Sequence, residues 1–352
     1  LVHGIDYWKE KSNRIWRSHT DSYLYRKSMM VRLKQQISFD AYCCAAVNPM
    51  TLTTVGAITE CSIEPIHQKL LTSEYLKDDV HLYRDLVESS VKVARLSDTF
   101  GKRESKRYTD ILQPHQFSDE MRVTLMDKKS CYGFLTLFKK EGKGKPHFTD
   151  KEVLLLEGLS SIMGKALRDY FYMELASSSE FLYTDPGVMI IDQHLSLQSM
   201  NEAGKRYITL LREFECSEHL TRLPKPIQAL CFRLLARKEK NLTLFIPIAN
   251  KMQLVASVSF LQTDVSENEA IVITINRASA KEMLEHLLET YALTDREQQV
   301  VKTSLQGYTT KEIASELNIS TYTVQDYFKA IYDKVGVSTR NELAWKLFVK
   351  YQ

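Results

Sequence analysis

Three helix-start signals follow one another near the C-terminus of this chain, and they dictate three short helices in quick succession. Thr294-Asp-Arg-Glu297 and Thr309-Thr-Lys-Glu312 are capping boxes. In each, the threonine hydroxyl accepts from a first-turn backbone N–H, and the glutamate reaches back to the threonine N–H. Ser320 is a third N-cap. The first helix sets Val300, Val301 and Leu305 on one face and stops at Gly307. The second is short and carries Ile313, Ala314 and Leu317. The third carries Val324, Tyr327 or Phe328, Ile331 and Val335, and ends at Gly336. A fourth is expected from about Thr339 to Val349.

Only Asn318-Ile-Ser320 separates the second helix from the third, and two helices joined by so tight a turn make a helix-turn-helix. Ala314 is small, so the two helices can cross closely. Leu317, Ile319 and Val324 form the apolar wedge that sets the angle at which the third helix would enter a major groove.

Leu293-Thr-Asp-Arg-Glu297, Gly307, Lys311-Glu-Ile-Ala314, Leu317, Ile319-Ser320, Thr323-Val324, Ile331, Lys334, Val337, Arg340 and Glu342-Leu343 carry a family likeness. The stretch from about Ala292 to Trp345 resembles the LuxR-type DNA-binding domain. The resemblance implies a four-helix domain over residues 292–352, with double-stranded DNA as its partner. It also implies that Gln325, Asp326 and Lys329 read base edges. Gln can hold adenine through two hydrogen bonds, Lys can donate to guanine, and Asp can accept from cytosine or exclude wrong sites. Thr310, Lys311, Thr321, Thr323, Tyr327, Lys334 and Arg340 are the implied phosphate contacts. The alternative for each is the plainer one, a threonine that only caps a helix or a lysine that is only solvated. Tyr327 departs from the pattern, standing where many relatives have His. From Thr294 to Gln352 there are eight Lys/Arg and seven Asp/Glu, a net +1. Phosphate attraction by one module is therefore weak, and binding as a homodimer on paired half-sites is expected.

The full chain has 352 residues, too many for one ordinary domain. The fold class expected is multidomain α+β. Residues 1–38 form a helical lead with eight Lys/Arg against three acids between Asp6 and Lys34, either a DNA-touching stripe or a solvated helix face. Residues 39–176 read as a mixed domain. Phe39–Val47 and Leu52–Thr59 are strand-like, about Ile66 to Ser97 is helical, and Met121–Met126 pairs with Tyr132–Phe138 around Asp127-Lys-Lys-Ser130. A loop with Gly142, Gly144 and Pro146 precedes the box Thr149-Asp-Lys-Glu152, which opens a helix striped by Leu155, Leu159, Ile162, Ala166 and Tyr170. Cys131-Tyr-Gly-Phe-Leu-Thr-Leu-Phe138 followed by Phe148-Thr-Asp-Lys-Glu-Val-Leu-Leu-Leu156 resembles the end of a GAF domain.

Residues 183–276 read as a second mixed domain. Gly187–Asp192 pairs with Leu195–Met200, Asn201 caps a helix, Leu242–Ile248 pairs with Met252–Leu261 about Asn250-Lys251, and Ala270–Ile275 adds a fifth strand. Two strands, short helices and three strands resemble a PAS domain. Residues 277–291 form a connecting helix with Ala280, Leu284, Leu287 or Leu288 and Tyr291 at helical spacing, either a dimer helix or one packed on its own domain.

Hydrophobic residues at 44% and charged residues at 26% are values for a folded globular chain, and a net charge of +3 neither demands nor excludes nucleic acid. No apolar stretch is long enough to span a bilayer, and no signal peptide is legible, so a cytoplasmic protein without a membrane partner is expected. The cysteines Cys43, Cys44, Cys61, Cys131, Cys216 and Cys231 are scattered without metal-ligand spacing, as are His67, His81, His115 and His147. No cofactor or metal is expected. Phe39, Tyr42, Val55, Leu125 and Phe134 either line an effector pocket or form ordinary core.

The function expected is a DNA-binding transcription regulator modulated by a small-molecule or protein effector. The rival is a protein-interaction regulator, an anti-activator whose helical module holds a partner protein. An enzyme, such as a cyclic-nucleotide hydrolase joined to a GAF domain, would need clustered metal ligands or a paired nucleophile and base, and the sequence offers neither. Gly142-Lys-Gly-Lys145 is not a phosphate loop.

Overall fold

The computed structural model describes residues 2–19, 21–76, 79–100, 105–142, 147–175, 185–215, 222–236, 241–248, 252–261 and 270–347. They form two compact units. One holds two five-stranded sheets and their helices; the other is centred on residues from Arg277 onward.

The helical lead is two helices, α1 (Val2–Ser18) and α2 (Ser22–Leu33), because the Asp21 side chain accepts from the Leu24 N–H and starts a fresh helix. Arg26 does not join a solvated basic face. It is buried and donates to the carbonyls of Ser22, Cys44 and Gly56, tying α2 to two neighbouring strands.

Those strands are β1 (Ala41–Val47) and β2 (Thr54–Thr59). The helical stretch expected after them is interrupted. It resolves into α3 (His67–Leu76), α4 (Tyr83–Glu88) and a short strand, β3 (Val93–Arg95). The hairpin follows as β4 (Phe117–Asp127) and β5 (Ser130–Lys140), then the long helix α5 (Asp150–Leu175). Thr149 and Glu152 exchange the expected capping hydrogen bonds. Gly164 lets α5 lie against the β4 backbone, since a Cβ there would meet the Met126 carbonyl at 2.2 Å. Gly144 and Pro146 of the expected loop lie outside the described residues.

The first sheet runs β2-β1-β5-β4-β3, all antiparallel. Alternation along the strands splits its side chains between two faces. Met121, Val123, Leu125, Leu135 and Leu137 pack in one core with Tyr25, Met29 and Leu33 of α2 and Leu159 and Met163 of α5. Phe134, Thr136 and Phe138 lie on the opposite face. The five residues grouped as a possible pocket therefore do not converge. Phe39 and Leu125 belong to the first core with Tyr42 against it, and Phe134 belongs to another.

The second sheet runs β7-β6-β10-β9-β8, from β6 (Gly187–Ile191), β7 (Leu197–Met200), β8 (Asn241–Ile248), β9 (Met252–Leu261) and β10 (Ala270–Arg277). Helices α6 (Glu202–Phe214) and α7 (Lys225–Leu235) pack on β6 and β8 respectively. The Asn201 side chain accepts from the Gly204 N–H, as its position predicts. The turn at Asn250-Lys251 lies outside the described residues. α7 also packs on α3 and β2, where Lys225 Nζ meets Glu64 at 2.6 Å and Arg233 donates to the Thr51 carbonyl and the Thr53 hydroxyl. Among the described residues, no helix is long and apolar enough to cross a membrane.

Candidate nucleic-acid interface

The C-terminal unit is helical: α8 (Ala280–Thr290), α9 (Asp295–Leu305), α10 (Thr310–Glu316), α11 (Thr321–Val335) and α12 (Arg340–Leu347). Both expected capping boxes form, at Thr294/Glu297 and Thr309/Glu312. Ser279 and Glu282 make a third at the start of α8, where the sequence Ser279-Ala-Lys-Glu282 carried the same signal unread. Ser320 caps α11 by accepting from the Thr323 N–H. Gly336 ends α11 at φ +70°, a backbone region open to glycine but costly for a residue with a Cβ. α12 is described as far as Leu347, so the expectation that its helix reaches Val349 falls outside the described residues.

The turn between α10 and α11 is closed by the Ile319 N–H donating to the Ala314 carbonyl, with Asn318 at φ +53°. Ile313 and Ala314 are buried on one side of it. Val324, Phe328, Ile331 and Val335 are buried on the other. Each large apolar side chain so buried stabilises the fold by about 1.5–3 kcal/mol. Of the two candidates for the inward position, Phe328 is the buried one, and Tyr327 is half-buried. The apolar stripe of α11 fixes which residues face away. Gln325, Asp326 and Lys329 are all exposed, one turn apart on the same side. Lys329 Nζ rests 3.3 Å from Asp326, so the pair forms a local ion pair on the open face.

Tyr322 lies on that face too, at i−3 and i−7 from Gln325 and Lys329. Its side chain is 70% exposed, unusual for so large a ring. The spacing was legible, but the ring was not singled out from sequence.

The expected phosphate contacts divide into two groups. Lys311 and Thr321 are exposed, Thr310, Thr323 and Tyr327 are half-buried, and Thr310 and Thr321 each open a helix. Thr323 Oγ1 lies 2.8 Å from the Ser320 hydroxyl, within the N-cap. Lys334 and Arg340, by contrast, have internal tasks. Lys334 Nζ donates to Glu297 at 2.6 Å and to the Ala292 carbonyl at 3.2 Å, tying α11 to the start of α9. Arg340 donates to the Ser304 and Tyr308 carbonyls at the end of α9, and its guanidinium lies over the Phe328 ring. Burial alone would raise the Glu297 carboxyl, but the bonds from Lys334 and Thr294 outweigh it and hold it below the usual range. Lys346 donates to the Val335 carbonyl at 2.6 Å and so caps the C-terminus of α11.

This helical unit holds no cluster of three His, Cys, Asp or Glu side chains among its described residues. What it presents is a polar stripe on a helix anchored from behind by apolar burial and at both ends by capping, a surface suited to reading base edges.

Residues 291–347 match the family of bacterial regulatory proteins of the luxR type. The transcriptional regulatory protein DesR of Bacillus subtilis is 42% identical over 72 residues, which are 20% of this chain and 36% of DesR. The chain thus spans about a third of the length of that relative. Among solved structures, VqmA of Vibrio cholerae is 18% identical over 47% of this chain and 83% of its own, with a TM-score of 0.22. SdiA of Escherichia coli is 11% identical over 98% of both chains, with a TM-score of 0.35. Residues 291–347 of this chain are a LuxR-family helix-turn-helix domain.

Proposed function

We propose that the chain is a transcription regulator that binds specific duplex DNA through α11, with Gln325, Asp326 and Lys329 as its base readers. The observation that carries this reading is the exposed polar stripe on a helix fixed by Val324, Phe328, Ile331 and Val335. Thr310, Lys311, Thr321, Thr323 and Tyr327 are the proposed phosphate contacts around it. Lys334 and Arg340 act by holding α9, α11 and α12 together. A net +1 over the module supports binding as a homodimer on paired half-sites.

Upstream we assign residues 39–176 to a GAF-like and residues 183–276 to a PAS-like sensory domain, preceded by a lead over 1–38 and followed by a connecting helix over 277–291. The support is the element order, two strands, then helices, then three strands, in each sheet. These domains modulate the DNA module in response to an effector, and the chain has no catalytic role.

A selection of genomic fragments with the full chain tests the reading. Enrichment of a two-half-site motif, with affinity that weakens steeply in salt and falls about ten- to hundredfold in Lys329→Ala, is expected. Recovery of no duplex, together with co-purification of another regulator, would favour the anti-activator role instead.

A further inference from the structure

We propose that Tyr322 is a fourth base reader, and that its ring reads the C5-methyl group of a thymine in the major groove. The proposal rests on the DNA-binding reading of α11 given above, and adds to it one residue and one kind of contact.

The ring stands where a base reader has to stand. Val324 is fully buried and marks the back of α11. At about 100° per residue, Thr321 and Tyr327 lie about 60° round the helix from Val324, Thr323 and Gln325 about 100°, Lys329 about 140°, and Tyr322 and Asp326 about 160°. The positions nearest the back face the sugar-phosphate rails. Tyr322, with Asp326 and Lys329, faces the floor of the groove. It also lies in the first turn of α11, which begins at Thr321 behind the Ser320 cap. The N-terminal residues of a recognition helix are the ones that contact base edges.

The chemistry follows from exposure and charge. Tyr322 is 70% exposed, more than any other large apolar side chain among the described residues, and no side chain among them pairs with its hydroxyl. A ring so placed gains by being covered. The module's net +1 leaves phosphate attraction weak, so a contact that draws on burial rather than charge takes a larger share of the binding. Along the floor of the major groove the bases present nitrogen and oxygen atoms and one apolar projection, the thymine methyl. Gln325, Asp326 and Lys329 serve the polar atoms. The Tyr322 ring serves the methyl.

The test uses the full chain and a random duplex library. The winning duplex is resynthesised with deoxyuridine, which lacks only that methyl, in place of thymidine at one position at a time, and each form is titrated by fluorescence anisotropy. Wild type is expected to bind about fourfold more weakly when one thymine of a half-site becomes uracil, and about fifteenfold when both half-sites are changed. Tyr322→Ala should bind the thymine duplex more weakly by at least as much and should no longer distinguish the two bases, with native circular dichroism because the ring is exposed. Tyr322→Phe should keep the discrimination. Equal wild-type affinity for every uracil form would overturn the proposal. So would discrimination that survives in Tyr322→Ala, or that vanishes in Tyr322→Phe and so belongs to the hydroxyl. Unchanged binding of all forms by Tyr322→Ala would overturn it too, and leave the ring to a protein partner. A wild-type chain that selects no duplex would sink the DNA-binding reading and this proposal together. A chain whose motif depends on Lys329 but on no thymine methyl would sink this proposal alone.

Discussion

Lys334 Nζ, near the end of α11, lies 2.6 Å from Glu297 Oε2, the carboxylate that caps α9. One residue pair therefore joins the helix proposed to face DNA to the helix that opens the module. Glu297 is buried, and its carboxyl is held below the usual range, so the pair is intact at neutral pH. Lys334→Ala leaves Glu297 without its cation. Because Lys334 is itself partly exposed, the cost is about 1 kcal/mol rather than the full value for a buried pair. Amide exchange in α9 and α11 of the full chain should quicken about fivefold, with the salt dependence of DNA binding unchanged. A slope reduced by about one, with protection untouched, would make Lys334 a phosphate contact instead.

Asp326 and Lys329 sit one turn apart on the open face, and their exposed ion pair is worth well under 1 kcal/mol. Separating them for DNA is therefore cheap. Asp326→Asn removes a negative charge from the proposed groove-facing surface. Affinity for random duplex should rise, and the preference at one base pair of each half-site should relax, because the role proposed for the carboxylate is to accept from cytosine or to repel wrong sites. A binding selection in parallel with wild type reads both effects. An unchanged motif at unchanged affinity would remove Asp326 from the base readers.

How much of this was legible beforehand follows from the range of the forces involved. Caps at Asn201, Thr149, Thr294, Thr309 and Ser320 were readable because each is a contact between residues three apart. The exposed face of α11 was readable because Val324, Ile331 and Val335 mark the buried one. The internal tasks of Lys334 and Arg340 were not, since their partners Glu297 and Ser304 lie 37 and 36 residues away. Arg26 read as a surface cation for the same reason, as the Gly56 carbonyl it serves is 30 residues distant. The strand β3 was hidden inside a helical-looking stretch because Val93–Arg95 is too short for a period to register and is set by pairing with Met121–Val123.

Thiol chemistry should be confined to one described cysteine. Burial pushes Cys43 up to about 11 and Cys44 and Cys131 up to about 12, and raises Cys231 as well. Cys61 is exposed, and Cys216 lies outside the described residues. Iodoacetamide at pH 8 should modify Cys61 well before Cys43, Cys44, Cys131 or Cys231, as peptide mass spectrometry of the native chain can follow. Early labelling of Cys43 or Cys44 would mean that the first sheet opens locally far more often than its packing implies.

The contact between α7 and the first sheet carries two buried titratable groups of opposite sign, and their pH dependences should oppose one another. Burial raises Glu215 to about 7 from 4.5, against the pull of Lys225, whose backbone N–H donates to it at 2.8 Å. Glu64 adds to the rise, and Arg212 lowers it. Burial lowers His67 to about 3 from 6.5, helped by Lys225 and Arg222. Both line the same polar cavity. A carboxyl whose folded pKa is raised binds its proton better folded than unfolded, so its contribution is lost as pH rises from 4.5 to about 7. A histidine whose folded pKa is depressed contributes fully above 6.5, and that contribution is lost as pH falls towards about 3. Between 4.5 and 6.5 the two slopes cancel in the wild type. In Glu215→Gln, which keeps the acceptor for Lys225, only the histidine slope survives, and stability of α6 and α7 should climb with pH by up to about 1.4 kcal/mol per unit. In His67→Gln it should fall over the same window. Amide exchange in α6 and α7, measured at several pH values and corrected for intrinsic rates, separates the three proteins. Parallel profiles would mean that neither group changes its protonation on folding.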